Sequence, residues 1–529
     1  MRKFLPFIAY AFLILFVFRD VLLPPEGKIL FGSDITRYHY FQRGFLGQAL
    51  REGQIPWWNP YTFAGTPYLE HPQVPVWYPP NLLFVWLPVN MAISWYIVLH
   101  LFLAMAGMYV LTRSWAAGVA FGFSAFFVAR IPAGHIDIIA VSSWAPLVMW
   151  TFIRHGVILS ALVLAMQLLA GQPTFAIFTL VAVAILAIVR SGIHGIFRLG
   201  IAVVLALGIA AVQLLPNAQY IARSIRTLPF PDSWAQLGTP TVGHLLEFLD
   251  PFYFYSKLPD SGFGFEHVGY IGKVPLFFAF VAVVLLRRKV LAYGLIALFG
   301  VWMWLGNNAP VDLFSWVRSW FPLYSQIRIP ARHVMLFVLS ASVLSGFGLS
   351  LVKEKMIQFL LVLLVLADLV PFAFRHLTLT SVPEAVEDTA LIATLTNDRD
   401  LARFLPNYYH GDPLRETLEF NAPIAHGIFS LSGYDTPPLR NYYEFLLAVN
   451  GYQWNDVLQY TESTPPFRAL TSGYFNILNV KYILVPAARD TINGINSRQF
   501  VMAAQNANRA WRLYENTKEI GRASCRERV

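Results

Sequence analysis

Between residues 4 and 374 the chain is a succession of apolar runs, and their lengths decide what it can fold into. The runs cover residues 4–23, 91–111, 115–131, 138–153, 157–170, 174–189, 199–215, 274–286, 290–305, 334–351 and 356–374. An apolar helix of about 20 residues crosses a bilayer. The sequence therefore predicts an α-helical polytopic membrane protein with about 11 transmembrane helices. The runs at 115–131 and 157–170 are short for a span, which predicts tilting, re-entry or fusion with a neighbour. Arg2 and Lys3 precede the first run and no small-residue cleavage site follows it. It reads as an uncleaved anchor rather than a signal peptide.

Basic residues sort the connections. Arg113, Arg154, Arg190 with Arg198, Arg287 with Arg288 and Lys289, and Lys353 with Lys355 fall in alternate, short turns, where Glu354 is the sole acid. Lys and Arg mark the cytoplasmic side of a membrane protein. This predicts a cytoplasmic N-terminus and places the connections 24–90, 132–137, 171–173, 216–273 and 306–333 outside, together with everything after residue 375. Composition agrees: 13% of the residues are charged and the mean hydropathy is +0.52, against roughly 25% charged in soluble domains. The net charge of +9 is a topology signal. No basic stripe with interleaved aromatics is present, so no nucleic-acid partner is expected.

From residue 375 charged residues return and apolar runs shorten. Residues 375–518 are expected to form an extracytoplasmic mixed α/β domain of about 140 residues, enough for one domain. Within it 401–405 and 442–449 read as helical, and 480–485 (VKYILV) and 511–514 as strands. The tail EIGRASCRERV, residues 519–529, resembles a common sequencing adapter translated in frame. It is expected to be non-native and the chain truncated. It carries the sole cysteine, Cys525, so no disulfide or thiolate chemistry is expected of residues 1–518.

The polar residues that can carry chemistry collect in the outer connections. The stretch 32–81 is rich in proline and aromatic residues, which makes a fixed, non-helical surface. Asp34 suits a carboxylate that removes a proton from an acceptor hydroxyl, and equally an N-cap for a helix over 35–52. Glu70 and His71 can bind a divalent cation or a sugar, or simply solvate a loop. Trp57, Trp58, Trp77 and Tyr78 suit sugar stacking or an interfacial aromatic belt. His135, in the turn with Gly134 and Asp137, and Gln172, in Gly171-Gln172-Pro173, lie between runs, where a polar group usually faces a cavity or another protein group. Glu266 and His267 sit in the glycine-rich SGFGFEHVGYIG. Arg328 and Arg332, in IRIPARH, stand at the outer mouth of a run, against the positive-inside trend. They suit a phosphate headgroup or a pair with Asp312. No P-loop, dinucleotide fingerprint or HExxH motif is present, so soluble nucleotide chemistry is not expected.

Several phrases recur in a fixed order: SDITRYHYFQRGFLGQALREGQIPWWNPYTFAGTPYLEHPQVPVWYPPN, ARIPAGHID with SSWAPL, LAGQPTFAIF, VQLLPNAQY, EHVGYIGKVPL, RIPARH, FSLSGYDTPPLRNYYEFL, LNVKYILV and RAWRLYEN. In that order, from the first run to about residue 518, they resemble the bacterial YfhO-like membrane proteins, placed with the GT-C type glycosyltransferases. The resemblance implies a GT-C-like multi-pass enzyme of the bacterial cytoplasmic membrane, active on the extracytoplasmic face. Its donor would be a polyprenyl-phosphate-linked sugar and its acceptor a cell-envelope glycan or polymer, with membrane lipid around it. It makes Asp34, in the first outer loop, the general base. Glu70, His71, His135, Gln172, Glu266, His267, Arg328 and Arg332 are the candidate substrate-binding residues, and a divalent cation is a candidate cofactor.

Two departures stand out. The junction Leu111-Thr112-Arg113-Ser114-Trp115 is shorter than is common in the family, and Gln172 stands where the family often has histidine, so no histidine chemistry is expected there. Family chains also continue into a further β-rich portion and a last membrane helix. Two other functions fit the same sequence: a transporter or flippase of lipid-linked sugar, which would need polar residues through the bilayer, and a non-catalytic membrane assembly protein that docks a partner.

Overall fold

The computed structural model describes residues 4–227, 232–252, 264–386, 388–398, 401–407, 418, 421–435, 437–450, 474–490, 499–506 and 510–517. The tail 519–529 with Cys525, and 261–263 of the Glu266 motif, lie outside the described residues. The protein is mostly helical, with a strand-containing region near its C-terminus. Among the described residues seven helical segments, some of them built from consecutive shorter helices, are long and apolar enough to cross a membrane by length and composition. The runs expected at 157–170, 274–286 and 290–305 form the helices Val157–Leu169, Lys273–Leu286 and Leu291–Leu305, of 13, 14 and 15 residues.

Two of the long segments depart from the expected form. The runs 174–189 and 199–215 belong to one helical stretch, Pro173–Ala222, broken at Gly192 by a non-helical backbone (φ 54°, ψ −138°). The third run is not one helix. It is built from Trp115–Gly122, Ala125–Val128 and Arg130–Ala133. Ser124 turns its hydroxyl onto Phe121 O at 2.8 Å, and Ala125 N bonds Tyr270 O at 2.9 Å. The freed backbone groups thus find partners inside the protein. A break in an apolar helical segment needs such internal partners where water does not reach it, and this segment is almost wholly buried.

The basic turns gather at one end of the helices. Arg190 reaches Tyr293 Oη, and Arg198 reaches Phe152 O and His155 O. A cavity of about 740 Å³ is lined by Tyr10, Trp115 and Gly346 together with Arg113, Lys353 and Lys355. At the other end the strand Lys28–Leu30, which follows the first helix, pairs antiparallel with Leu379–Ser381, which follows the last long one.

The C-terminal region carries a four-stranded sheet. Its strands are Arg403–Pro406, Val480–Pro486, Trp511–Asn516 and Phe500–Gln505 in spatial order; the first pair is parallel and the others antiparallel. The strands expected at 480–485 and 511–514 are there, and so is the helix around 442–449, as Arg440–Asn450. The helix expected at 401–405 is a strand instead: Phe404 and Leu405 are both buried, one in each of two apolar clusters flanking the sheet. One of these clusters also contains Phe41 of the first loop. The loop is therefore packed between the helices and the C-terminal sheet.

Candidate functional site

Close backbone approach builds the site. The segment that leaves the first strand runs over the turn after Ala133. A Cβ on Gly134 (φ +86°) would lie 2.5 Å from the backbone nitrogens of Asp34 and Ile35, and one on Gly32 would lie 2.7 Å from Ile131 O. Side chains at these two positions would force the segments apart. Their absence brings Asp34 and His135 together.

Asp34 stands at the head of a wide helical turn, Ile35–His39, that leads into the helix Tyr40–Arg51. It makes no side-chain capping hydrogen bond, so capping does not explain it. Its Oδ1 accepts from the Tyr434 hydroxyl at 3.2 Å, and its Oδ2 lies 3.7 Å from His135 Nε2. The carboxylate is 28% exposed and the imidazole 16%. Burial drives the His135 pKa down to about 4, and Arg332, Arg130 and Arg328 push the same way against an opposing pull from Glu266. The imidazole is therefore neutral at pH 7. Its Nδ1 is buried without a hydrogen-bond partner.

Behind His135 lies a charge cluster. Glu266 Oε2 takes a bond from Arg130 Nη2 at 2.9 Å, and its Oε1 takes two from Arg332, from Nε at 2.9 Å and Nη2 at 2.8 Å. Burial alone would raise the Glu266 pKa, but Arg332 and Arg130 outweigh it and hold the carboxyl at about 2. Arg130 is fully buried, bonds Phe126 O at 2.8 Å and lies 3.9 Å from the Phe126 ring centroid. Arg328 stacks on Trp234 at 4.8 Å. One carboxylate thus holds two guanidinium groups, with a third within electrostatic reach of His135.

A second set supports Tyr434. His71 Nδ1 accepts from Gln73 N at 3.3 Å, and its Nε2 lies at ion-pair distance, 2.9 Å, from Asp435 Oδ1 without the geometry of a hydrogen bond. Tyr38 and Tyr220 pack against the His71 ring. Asn421 holds Tyr434 from both sides, accepting from its N–H and donating to its carbonyl. Beneath the turn Arg43 forms a buried pair with Asp137 at 2.5 Å and donates to Asn81 Oδ1 at 3.2 Å.

Of the nine residues singled out in the sequence, Asp34, His135, Glu266, Arg328 and Arg332 converge. His71 joins them indirectly, through Asp435 and Tyr434. Glu70 turns away to an ion pair with Arg223, so it and His71 do not form one pair of ligands. Gln172 begins the Pro173–Ala222 helix in a left-handed conformation (φ 46°) without capping it, and its neighbour Gly171 abuts Pro72 and Pro75. His267 points the other way, donating from Nε2 to Gly238 O at 2.7 Å. Asp312 caps the helix Leu313–Trp320 and accepts from Gln236, and Arg332 pairs with Glu266 instead. Arg130 and Tyr434 are the functional residues that pattern reading passed over. Arg130 had a signal: a charge inside an apolar run is costly and has a reason. Tyr434 had none, because its neighbour lies 400 residues away in the chain.

No family model matches the chain, and no curated protein matches it.

Proposed function

We propose that this protein is a multi-pass GT-C-like glycosyltransferase of the bacterial cytoplasmic membrane, moving a sugar from a polyprenyl-phosphate carrier to a cell-envelope acceptor. The observation that supports the reading most is the setting of Asp34. Its carboxylate is partly open, bonded to Tyr434 and beside a neutral imidazole that Arg130, Arg328 and Arg332 act on electrostatically. In this reading the acceptor hydroxyl gives its proton to Asp34 as its oxygen bonds to the anomeric carbon. The bond from that carbon to the phosphate oxygen breaks, and the electron pair leaves on the phosphate. Fixed positive charge at the developing phosphate lowers that barrier. Arg332 spends Nε and Nη2 on Glu266, so Nη1 is the edge it would offer.

Charge placement orients the reading. The basic turns lie at the end of the helices remote from Asp34, and the positive-inside tendency makes that end cytoplasmic. The buried ion pairs Arg43–Asp137 and Arg130–Glu266 both lie at the Asp34 end, which favours transfer at one face over passage through the bundle.

The test uses full-length protein in vesicles supplied with lipid-linked sugar. Asp34→Asn is expected to lower transfer by about 10²–10⁴-fold, the usual contribution of a positioned acid or base, with thermal stability close to the parent's. Undiminished transfer by this variant would sink the role of Asp34. Movement of the donor across the bilayer without any transfer by the parent protein would favour the flippase.

A further inference from the structure

We propose that His244, Glu247 and His267 form a binding site for one divalent transition-metal ion, zinc foremost, separate from the Asp34 site. Among the described residues this is the one group of three His, Cys or carboxylate side chains whose ligand atoms close to within 4.8 Å of one another. The local fold brings them together. Residues Val242–Phe248 form a 3₁₀ helix, in which positions three apart eclipse on one face, so His244 and Glu247 project side by side. His267 ends the short turn Gly264–His267 and meets His244 edge to face, with ring centroids 5.0 Å apart.

Two of the three side chains are arranged to receive a cation, and the third needs only a change of tautomer. Glu247 is 2% exposed, and its Oε2 is buried with no hydrogen-bond partner. A buried carboxylate oxygen without a donor is rare enough to need a reason, and a cation supplies one. His267 donates from Nε2 to Gly238 O at 2.7 Å, which fixes the tautomer and turns the Nδ1 lone pair inward. A metal-bound imidazole commonly gives its other N–H to a carbonyl in this way. His244 Nδ1 lies 2.8 Å from Thr241 Oγ1 and accepts from Thr241 N at 3.0 Å. Ligation through Nε2 moves the proton to Nδ1, where Thr241 Oγ1 accepts it in place of the backbone contact.

Two imidazoles and one carboxylate are a donor set for zinc, and a tetrahedral ion held by three side chains keeps one position for water or another oxygen ligand. The ion would tie the 242–248 helix to the turn that presents Glu266 to Arg130 and Arg332.

The experiment needs no enzyme assay, so its failure is distinct from failure of the transferase reading. Full-length protein in detergent is stripped with chelator, dialysed against zinc chloride and assayed for bound metal by mass spectrometry. About one zinc per chain is expected, and zinc should raise the melting temperature. Glu247→Gln, nearly isosteric, and His267→Ala should each weaken zinc binding at least tenfold and abolish the zinc-dependent shift. Asp250→Asn, whose carboxylate only caps Phe252 N, should bind as the parent does. If His267→Ala does not fold, Glu247→Gln still decides. Bound zinc well below one per chain, or binding equal in parent and Glu247→Gln, overturns the site.

Discussion

Glu266 carries the charge balance of the site, and its removal should cost far more than its single charge suggests. It is 1% exposed, and Arg130 beside it is fully buried. Glu266→Gln leaves that guanidinium inside the protein without a counter-charge, a loss of about 3–5 kcal/mol for a broken buried pair. Glu70→Gln removes a carboxylate whose partner Arg223 is half exposed, and about 0–1 kcal/mol is expected there. Thermal unfolding of the two variants should separate them clearly; similar losses would mean that the Glu266 cluster is open to water. His135 gives a pH signature. Its folded pKa of about 4 lies below the roughly 6.5 of a free imidazole, so between those values the unfolded chain binds more protons and stability falls as pH falls. His135→Gln should show a smaller loss between pH 6.5 and 4 than the parent, and an equal loss would deny that the imidazole is held neutral. At this scale legibility was uneven. Asp34, Glu266 and Arg332 were visible as polar residues outside apolar runs. What Arg332 binds was not, because Glu266 comes from a separate connection 66 residues earlier.

At the scale of elements, periodicity found the helices but not their breaks. The run 115–131 is apolar except for Ser124 and Arg130, and a lone serine does not mark a break in hydropathy; the turn at Ser124 exists because Tyr270 O receives the Ala125 N–H. Likewise RFLP at Arg403–Pro406 is too short to show a period. It is a strand because Val480–Pro486 lies parallel to it, a partner some 75 residues on. The turn at Gly134 makes the same point by experiment. Gly134→Ala must displace the backbone of Asp34 and Ile35, and a shift of about 1 Å in a reacting group can cost about 100-fold in rate. Gly156→Ala meets open space and should stay within about 0.5 kcal/mol of the parent. Measuring transfer and melting temperature for both checks the claim. Full activity in Gly134→Ala would show that the approach of the two segments does not set the position of Asp34.

At the scale of the molecule, composition predicts a division near residue 375, but nothing in the composition shows that residues on either side of it share one core. Phe41 of the first loop packs with Leu391, Phe404, Ile424 and Trp511 of the C-terminal region. The loop therefore takes part of its shape from residues that follow all the long helices. Asn421 is the polar pivot of that union. It is fully buried, donates to Arg37 O at 3.2 Å and to Tyr434 O at 2.8 Å, and accepts from Tyr434 N at 3.2 Å. Asn421→Ala strands these backbone groups away from water, at about 1–3 kcal/mol for each buried group left unpaired. The Ile35–His39 turn loses its tie to the C-terminal region, and Tyr434 loses the support that aims its hydroxyl at Asp34. Hydrogen exchange on the full-length variant should therefore quicken at the Ile35–His39 turn and around Tyr434, while the Val89–Thr112 helix stays protected. Transfer should fall even where the protein remains folded. If exchange rises only in the C-terminal region and the Ile35–His39 turn keeps its protection, then the first loop holds Asp34 by its own packing, and the C-terminal region does not help to position it.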